Sequence, residues 1–244
     1  MILAIASKSL ANLYKSSPAL NGASSAEQIW DDIQSVVNMR LLKINLYFAE
    51  SWWEDETKIN PPVQYGPSFT DLPINSIYPF YSLVGPANEQ NPAALTIYCD
   101  FNNTNFWQGL QNVGPAFDSP LQQQHSKTPQ VIFPASVAIV DEAVKQIKQL
   151  FGVTEIPNPV MTSYRLWGGE SDFGFAYHQW ALNADDANVM KRMVELVPNF
   201  YTCNEAYSDN QGWVNGSLRS ADRMLEKFGI DPLPMSGACK APPG

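Results

Sequence analysis

The sequence predicts a mixed α/β or α+β fold. Three observations carry this reading. Apolar runs of period two interleave with segments of helical spacing. The chain has no internal repeat. Both of its ends read as strand–helix elements around a centre rich in proline. With 244 residues and 45% hydrophobic content, it can bury a sizeable core, as one large domain or two small ones.

The elements follow in order. Residues 2–6 (ILAIA) form a short apolar run that reads as a buried strand. SKSLANLYK follows as a short helix. Ser24-Ser25-Ala26-Glu27 has the spacing of a capping box and opens a helix through about Val37. In LKINLYFAE (42–50), Ile44, Leu46 and Phe48 alternate with Lys43, Asn45 and Tyr47, which is a strand with one buried face. Residues 51–92 hold many prolines and read as an irregular or hairpin-rich surface region. ALTIYCDF (94–101) is another strand, and Asn102 or Asn103 can cap a short helix over NFWQGLQ.

From Ser136 the spacing turns helical. Val137, Val140, Val144, Ile147 and Phe151 share one face, and Gly152 ends the helix. VMTSYRLW (160–167) is a strand. ADDANVMKRMVELV is a helix with acids at its start, where the dipole favours them. NFYTC (199–203) is a strand, and the last helix carries Val214, Leu218, Ala221, Leu225 and Phe228 on one stripe. The tail PLPMSGACKAPPG reads as irregular.

Composition excludes several functions. A net charge of −9 argues against a phosphate-rich nucleic-acid partner, and the 15 lysines and arginines form no basic run for a membrane surface. No segment is long enough to span a bilayer, and MILAIA has no basic residues before it, unlike a signal peptide. Cys99, Cys203 and Cys239 are odd in number and widely spaced, which is no disulfide framework; it fits a reducing, cytoplasmic setting. His125 and His178 are too few for a His-rich metal site. No G-x-S-x-G is present, so a serine hydrolase is not indicated.

The stretch NFYTC–NEAYSDNQ–GWVNGSLRSA carries the most specific chemistry. A strand delivers the chain into a polar loop, and a helix begins near Gly212. Gly212 permits close backbone approach, and the amides of Trp213 and Val214 are unpaired donors at a helix start. With the dipole they favour a negatively charged atom, and Trp213 offers a flat wall. The stretch is a candidate for holding a flat ring that gains negative charge. A helix whose aromatic first turn packs on its own core is the commoner origin of such a stretch. Lys43 is ambiguous in the same way, as a solvated strand lysine or one reaching into a pocket. YHQW (177–180) places a His between aromatics, a pattern more often of a hydrogen-bonded His than of a catalytic one.

Several segments, taken together and in order, resemble the flavin-containing amine oxidases, the family of monoamine oxidases and L-amino-acid oxidases. MILAIASKSLANL resembles the strand before the substrate domain, with Ala6 where a proline is usual. KINLYFAESWWEDE resembles the strand that begins with a lysine and ends in a Trp turn, and SFTDLPINSIYPF the TDLP segment. ALTIYCDFNNTNFWQGL is similar to an L-amino-acid oxidase strand and the helix after it. YRLWGGESDFGFAYHQW resembles the Trp-and-glycine segment on the substrate side of the flavin, and NEAYSDNQGWVNGSLRSA the C-terminal flavin motif.

That resemblance implies a substrate domain joined to the C-terminal part of an FAD-binding domain. Residues 1–40 would border the FAD domain, 41–160 form the substrate domain, 161–230 return to the FAD domain, and 231–244 form a tail. It implies FAD as cofactor. Lys43 would hold a water near flavin N5, and Glu205 would lie near the FAD phosphates. Gly212, Trp213 and Val214 would lie on the isoalloxazine. Tyr98 would bind a substrate carboxylate, with Trp167, Tyr177 and Trp213 lining the substrate cavity. Asn204 stands where the motif usually has Gly, and a side chain there could crowd the pyrophosphate. No G-x-G-x-x-G follows a strand in this sequence. The implied assembly is therefore a split oxidase acting on an amine or L-amino acid with O2. A second polypeptide would supply the Gly-rich dinucleotide-binding half, and no membrane or nucleic acid is involved. The alternative is a non-catalytic, assembly-type subunit derived from such an oxidase.

Overall fold

The structure, a computed structural model, describes residues 1–63, 66–81, 92–126, 133–168 and 174–231. Its elements in chain order begin with strand β1 (Ile2–Leu3), helices α1 (Ser7–Ser16), α2 (Pro18–Asn21) and α3 (Ala26–Gln34), and strands β2 (Val36–Met39) and β3 (Leu41–Phe48). A 3₁₀ turn (Trp52–Glu54) precedes β4 (Ser68–Phe69), β5 (Ser76–Tyr81) and β6 (Ala93–Asp100). Helices α4 (Asn103–Gln111), α5 (Pro120–Ser126) and α6 (Val137–Phe151) lead to β7 (Met161–Trp167) and β8 (Tyr177–Trp180). Helix α7 (Asp186–Arg192), β9 (Glu195–Val197), β10 (Phe200–Thr202) and α8 (Val214–Glu226) complete the order. The mixed class expected from the sequence is what the elements form. Parts of three sequence readings lie outside the described residues: residues 82–91 of the proline-rich region, 169–173 of the Trp-and-glycine segment, and the tail from residue 232.

The chain divides into two compact units, one of Met1–Met39 with Gly168–Gly244 and one of Arg40–Trp167. The second is built on an antiparallel sheet of order β4-β5-β6-β3-β7. Period-two alternation sorts its two faces. Leu42, Ile44, Leu46 and Phe48 of β3 point inward with Leu95, Ile97 and Cys99 of β6. Helix α6 closes that face with Ile139, Val140, Ala143 and Ile147. Its start is capped by Ser136, whose Oγ accepts from Ile139 N at 3.2 Å, and Gly152 ends it in the left-handed conformation at φ 66°. The buried stripe thus runs one residue off the expected Val137, Val144 and Phe151, which are only half-buried. Trp52, Trp53 and Phe48 stack edge to face beside the core, with centroids 5.7–5.9 Å apart.

The first unit has a sheet of order β1-β10-β9 and a two-stranded ribbon, β2-β8. Its core gathers Leu10, Leu20, Ile29, Ile33, Phe200 and Tyr207. Asp32 is buried on α3 and takes a bidentate bond from Arg192 on α7, with Nε at 2.8 Å and Nη2 at 2.7 Å.

Several boundaries differ from expectation. The run 2–6 pairs only through Ile2 and Leu3, and the rest turns into α1. Helix α3 ends at Gln34, and 36–39 becomes a strand because β8 pairs with it along its whole length. No side-chain cap forms at its start, nor at Asn102 before α4. Helix α7 stops at Arg192, and Glu195–Val197 pairs with β10 instead. At 36–39 and 195–197 strand pairing overrides local helical spacing.

The largest difference is at α8, which is turned inside out. Its inner face is Gly216, Ser220 and Met224. Of the expected apolar stripe, Val214 at 75%, Leu218 at 58% and Phe228 at 48% are exposed, while Ala221 and Leu225 are half-buried. Close approach selects this orientation. A Cβ on Gly216 would lie 2.2 Å from Asn210 O and 2.4 Å from Ser208 Oγ. Ser220 Oγ accepts from Asn204 N at 3.2 Å. Gly216→Ala is therefore expected to destabilise the protein by about 1–3 kcal/mol through overpacking, measured as a lowered urea midpoint at unchanged slope.

Candidate functional site

The sequence-predicted residues fall into two groups, one in each unit. In the first unit they gather around Glu205, in the loop between β10 and α8. Its Oε1 accepts from His178 N at 3.0 Å and from Gly212 N at 3.3 Å. Its Oε2 lies 2.6 Å from His178 Nδ1. The Ser7 amide donates to His178 Nε2 at 3.4 Å. That makes Nε2 the acceptor and leaves Nδ1 to carry the proton toward Glu205. A buried His on β8 therefore orients the carboxylate, and the carboxylate orients the turn at Gly212. His178 was read from the sequence as a hydrogen-bonding residue flanked by aromatics; its partners were not, because they come from Ser7 and Glu205, 171 and 27 positions away.

Gly212 has φ 81°, and a Cβ there would meet the Tyr177 ring at 3.4 Å. Trp213 precedes α8 in extended conformation and is 69% exposed. No side chain caps the helix start. Asn204 does not leave a loose side chain: Nδ2 donates to Ile5 O at 2.8 Å, and Oδ1 accepts from Ala206 N at 2.8 Å. The expected crowding is thus met by a side chain committed to holding the loop onto the segment after β1.

The second group lies on the face of the five-stranded sheet opposite its core. Register places Lys43 directly opposite both Tyr98 and Arg165, so the three share one row across β6, β3 and β7. Lys43 Nζ stands 5.2 Å from the Tyr98 ring centroid and 5.9 Å from that of Trp167. The next row is a hydrogen-bonded relay: Thr96 Oγ1 donates to Asn45 Oδ1, and Asn45 Nδ2 donates to Ser163 Oγ at 2.8 Å. Arg165 was not singled out from the sequence. The available signal was its alternate position in a strand, and only the register reveals its neighbours.

Burial, then the charge of Asp100, raises the Tyr98 phenol above its ordinary value. On the core side burial pushes the Cys99 thiol and the Tyr164 phenol each to about 12. Tyr177, assigned by the resemblance to the substrate cavity, stands in the first unit against Gly212, whereas Trp167 stands in the second beside Lys43. Among the described residues no helix is long and apolar enough to cross a membrane.

No family model matches the chain. It is 28% identical over 205 residues, 79% of its own length, to a Dictyostelium discoideum protein named by inference as a bifunctional amine oxidase. It is 24% identical over 174 residues, 67% of its length, to an uncharacterized protein of Acanthamoeba polyphaga mimivirus. The aligned regions make up 17% and 28% of those two proteins, so the match spans less than a third of the length of either. The link to an amine oxidase is distant and covers most of this chain.

Glu205→Gln sets an amide donor against His178 Nδ1–H, and the other tautomer would set Nε2–H against the Ser7 amide. Either way a donor loses its acceptor. The variant is expected to lose about 1–3 kcal/mol in urea unfolding, with a changed His178 tautomer in nitrogen NMR.

An alkaline limit follows from the sheet. Cys99, Tyr98 and Tyr164 are uncharged when protonated and hold the proton more tightly folded than unfolded. Their contribution to stability is complete below the unfolded values, 9.0 for the thiol and 10.0 for the phenols, and is lost as pH rises toward about 12. The melting temperature should hold to about pH 8.5 and then fall. Cys99→Ala should make the first part of that fall shallower.

Proposed function

We propose that this chain is one subunit of an FAD-dependent amine or L-amino-acid oxidase, completed by a second polypeptide carrying the Gly-rich dinucleotide-binding half. The observation that carries the reading is the Glu205–His178–Gly212 arrangement ahead of an uncapped helix start. The distant similarity to a protein named as an amine oxidase supports it.

A flavin edge suits these residues. The first amides of α8 have no side-chain cap and carry the positive end of the helix dipole, which favours an oxygen that becomes anionic. Gly212 keeps the backbone free of a side chain, and exposed Trp213 supplies a flat surface. Val214 is the first helical residue and offers its amide. Glu205 holds this turn, and His178 holds Glu205. A bound flavin would supply hydride acceptance from the substrate carbon and reoxidation by O2 to hydrogen peroxide. In the second unit, Lys43 would hold and polarise a water. Tyr98 would donate its phenol to a substrate carboxylate, and Trp167 would wall the substrate. Tyr177, beside Gly212 in the first unit, keeps the substrate-lining role that the resemblance implies. Arg165, in the same row as Lys43 and Tyr98, adds a cation that tilts the substrate toward an amino acid.

The outward stripe of α8 supports the partner. Val214, Leu218 and Phe228 together with Trp213 form an apolar surface of the kind that a second protein covers. A non-catalytic assembly subunit is the second reading, favoured by Asn204 in place of a motif glycine.

One experiment separates the two. The natively purified protein should show flavin absorbance in the visible and a second polypeptide on a denaturing gel. A colourless protein that keeps its partner favours the assembly role, and a colourless monomer removes the two-chain reading. In the coloured complex, Lys43→Met should slow reoxidation by O2 about 100-fold at unchanged flavin content, read by stopped-flow absorbance. Normal reoxidation removes Lys43 from that role.

A further inference from the structure

Residues 1–6, MILAIA, are all apolar, and no charged side chain comes before Lys8. Continuous runs of this kind belong to strands of parallel sheets that are covered on both faces. Strand β1 is part of the run, and it does pair in parallel with β10. Yet among the described residues it is the edge of its sheet, whose order is β1-β10-β9. Met1 is 67% and Ile2 52% exposed, and Ala4 is exposed as well.

The ladder fixes which backbone groups are open. The Tyr201 amide donates to Met1 O and the Cys203 amide to Leu3 O, each at 2.9 Å. Asn204 Nδ2 takes the next carbonyl on that side, Ile5 O, at 2.8 Å. The N–H and C=O groups of Ile2 and Ala4 therefore point the other way, out of the sheet edge. Side chains divide in the same alternation. Leu3 and Ile5 pack on the core of the unit, while Ile2 and Ala4 stand on the bare side.

Other edges of the protein are guarded. Strand β9, at the opposite edge of the same sheet, carries Glu195 and is followed by Pro198. In the other unit the outer edge of β7 is closed by the chain itself. The Thr162 amide donates to Gln122 Oε1 at 2.8 Å and the Tyr164 amide to Phe133 O at 2.7 Å. Strand β1 has neither a charge nor a proline, the usual devices that keep an edge from pairing.

We infer that β1 is an inner strand of the completed protein: an apolar strand of the second polypeptide adds to its free edge in parallel and bonds to Ile2 and Ala4. This rests on the two-chain reading and supplies the contact by which the chains join. A second copy of this chain does not fit the edge. Two-fold symmetry would set β1 against β1 antiparallel, whereas the run is that of a strand between parallel neighbours.

Amide hydrogen exchange in the natively purified complex tests it. The Leu3 amide faces β10 within the chain and serves as the internal reference. The Ile2 and Ala4 amides should be protected alongside it, about 100-fold or more below the free-peptide rate. Ala4→Pro removes an outward N–H and leaves the bonds to β10 in place. It should weaken association of the two chains about 10-fold or more, with Leu3 still protected. Fast exchange at Ile2 and Ala4 beside a protected Leu3, in a complex that contains the second polypeptide, overturns the inference and leaves the two-chain reading standing. So does an Ala4→Pro chain that holds its partner as tightly as before. Purification with no second polypeptide, or only with another copy of this chain, overturns both.

Discussion

The carboxylate of Glu205 is the constraint on which the candidate cofactor-binding end of the first unit depends. It is reached by two backbone amides and a ring nitrogen, from β8 and from the turn before α8. His178 is buried at 3% exposure, so its ring cannot turn to water for its hydrogen bonds. The Ser7 amide settles which nitrogen donates. The asparagine beside Glu205 extends the same node to Ile5 and Ser220. Residues distant in sequence are thus pinned around one short loop, and the direction of α8 follows from it. A group of this kind is costly to leave half-satisfied, which is why its geometry is specific.

Helix α8 shows what such a node can enforce. An isolated amphipathic helix would bury its apolar stripe. Here the loop before it comes close to the helix at Gly216, where no side chain fits, and at Ser220, which bonds it. The inner face is therefore chosen by size, and the apolar side chains are left outward. A surface of this sort is unfavourable for a free chain in water and favourable beneath a second protein. The same end of the helix carries the uncapped amides and Trp213, so the proposed flavin contact and the proposed partner contact are continuous along one helix.

The second unit solves a different problem. Its sheet places an apolar layer on one face and, on the other, a row of Arg165, Lys43 and Tyr98 followed by the Thr96–Asn45–Ser163 relay. Antiparallel register alone brings those side chains into line, since residues opposite one another share a face. Burial of the core beneath raises Cys99 and Tyr164 to about 12, so the sheet stays uncharged there at pH values where a free thiol or phenol ionises.

Alternation and capping chemistry were legible in the sequence wherever a single element decided its own fate. The inward residues of β3, the strand at β6, and the Ser136 start and Gly152 stop of α6 all follow from local pattern, because period and turn chemistry act over a few residues. The collinear segments around Lys43, Tyr98, Glu205 and Gly212 were legible as a resemblance. Pairing decided the rest. Residues 36–39 and 195–197 are strands because partners far along the chain bond to them. The exposed Val214 and Leu218 of α8, the His178–Glu205 contact, and the alignment of Arg165 with Lys43 each depend on atoms brought together from separate segments. Periodicity states which residues share a face of an element; only tertiary packing decides which face is turned inward, because that choice is made by the neighbour's shape and hydrogen-bonding needs.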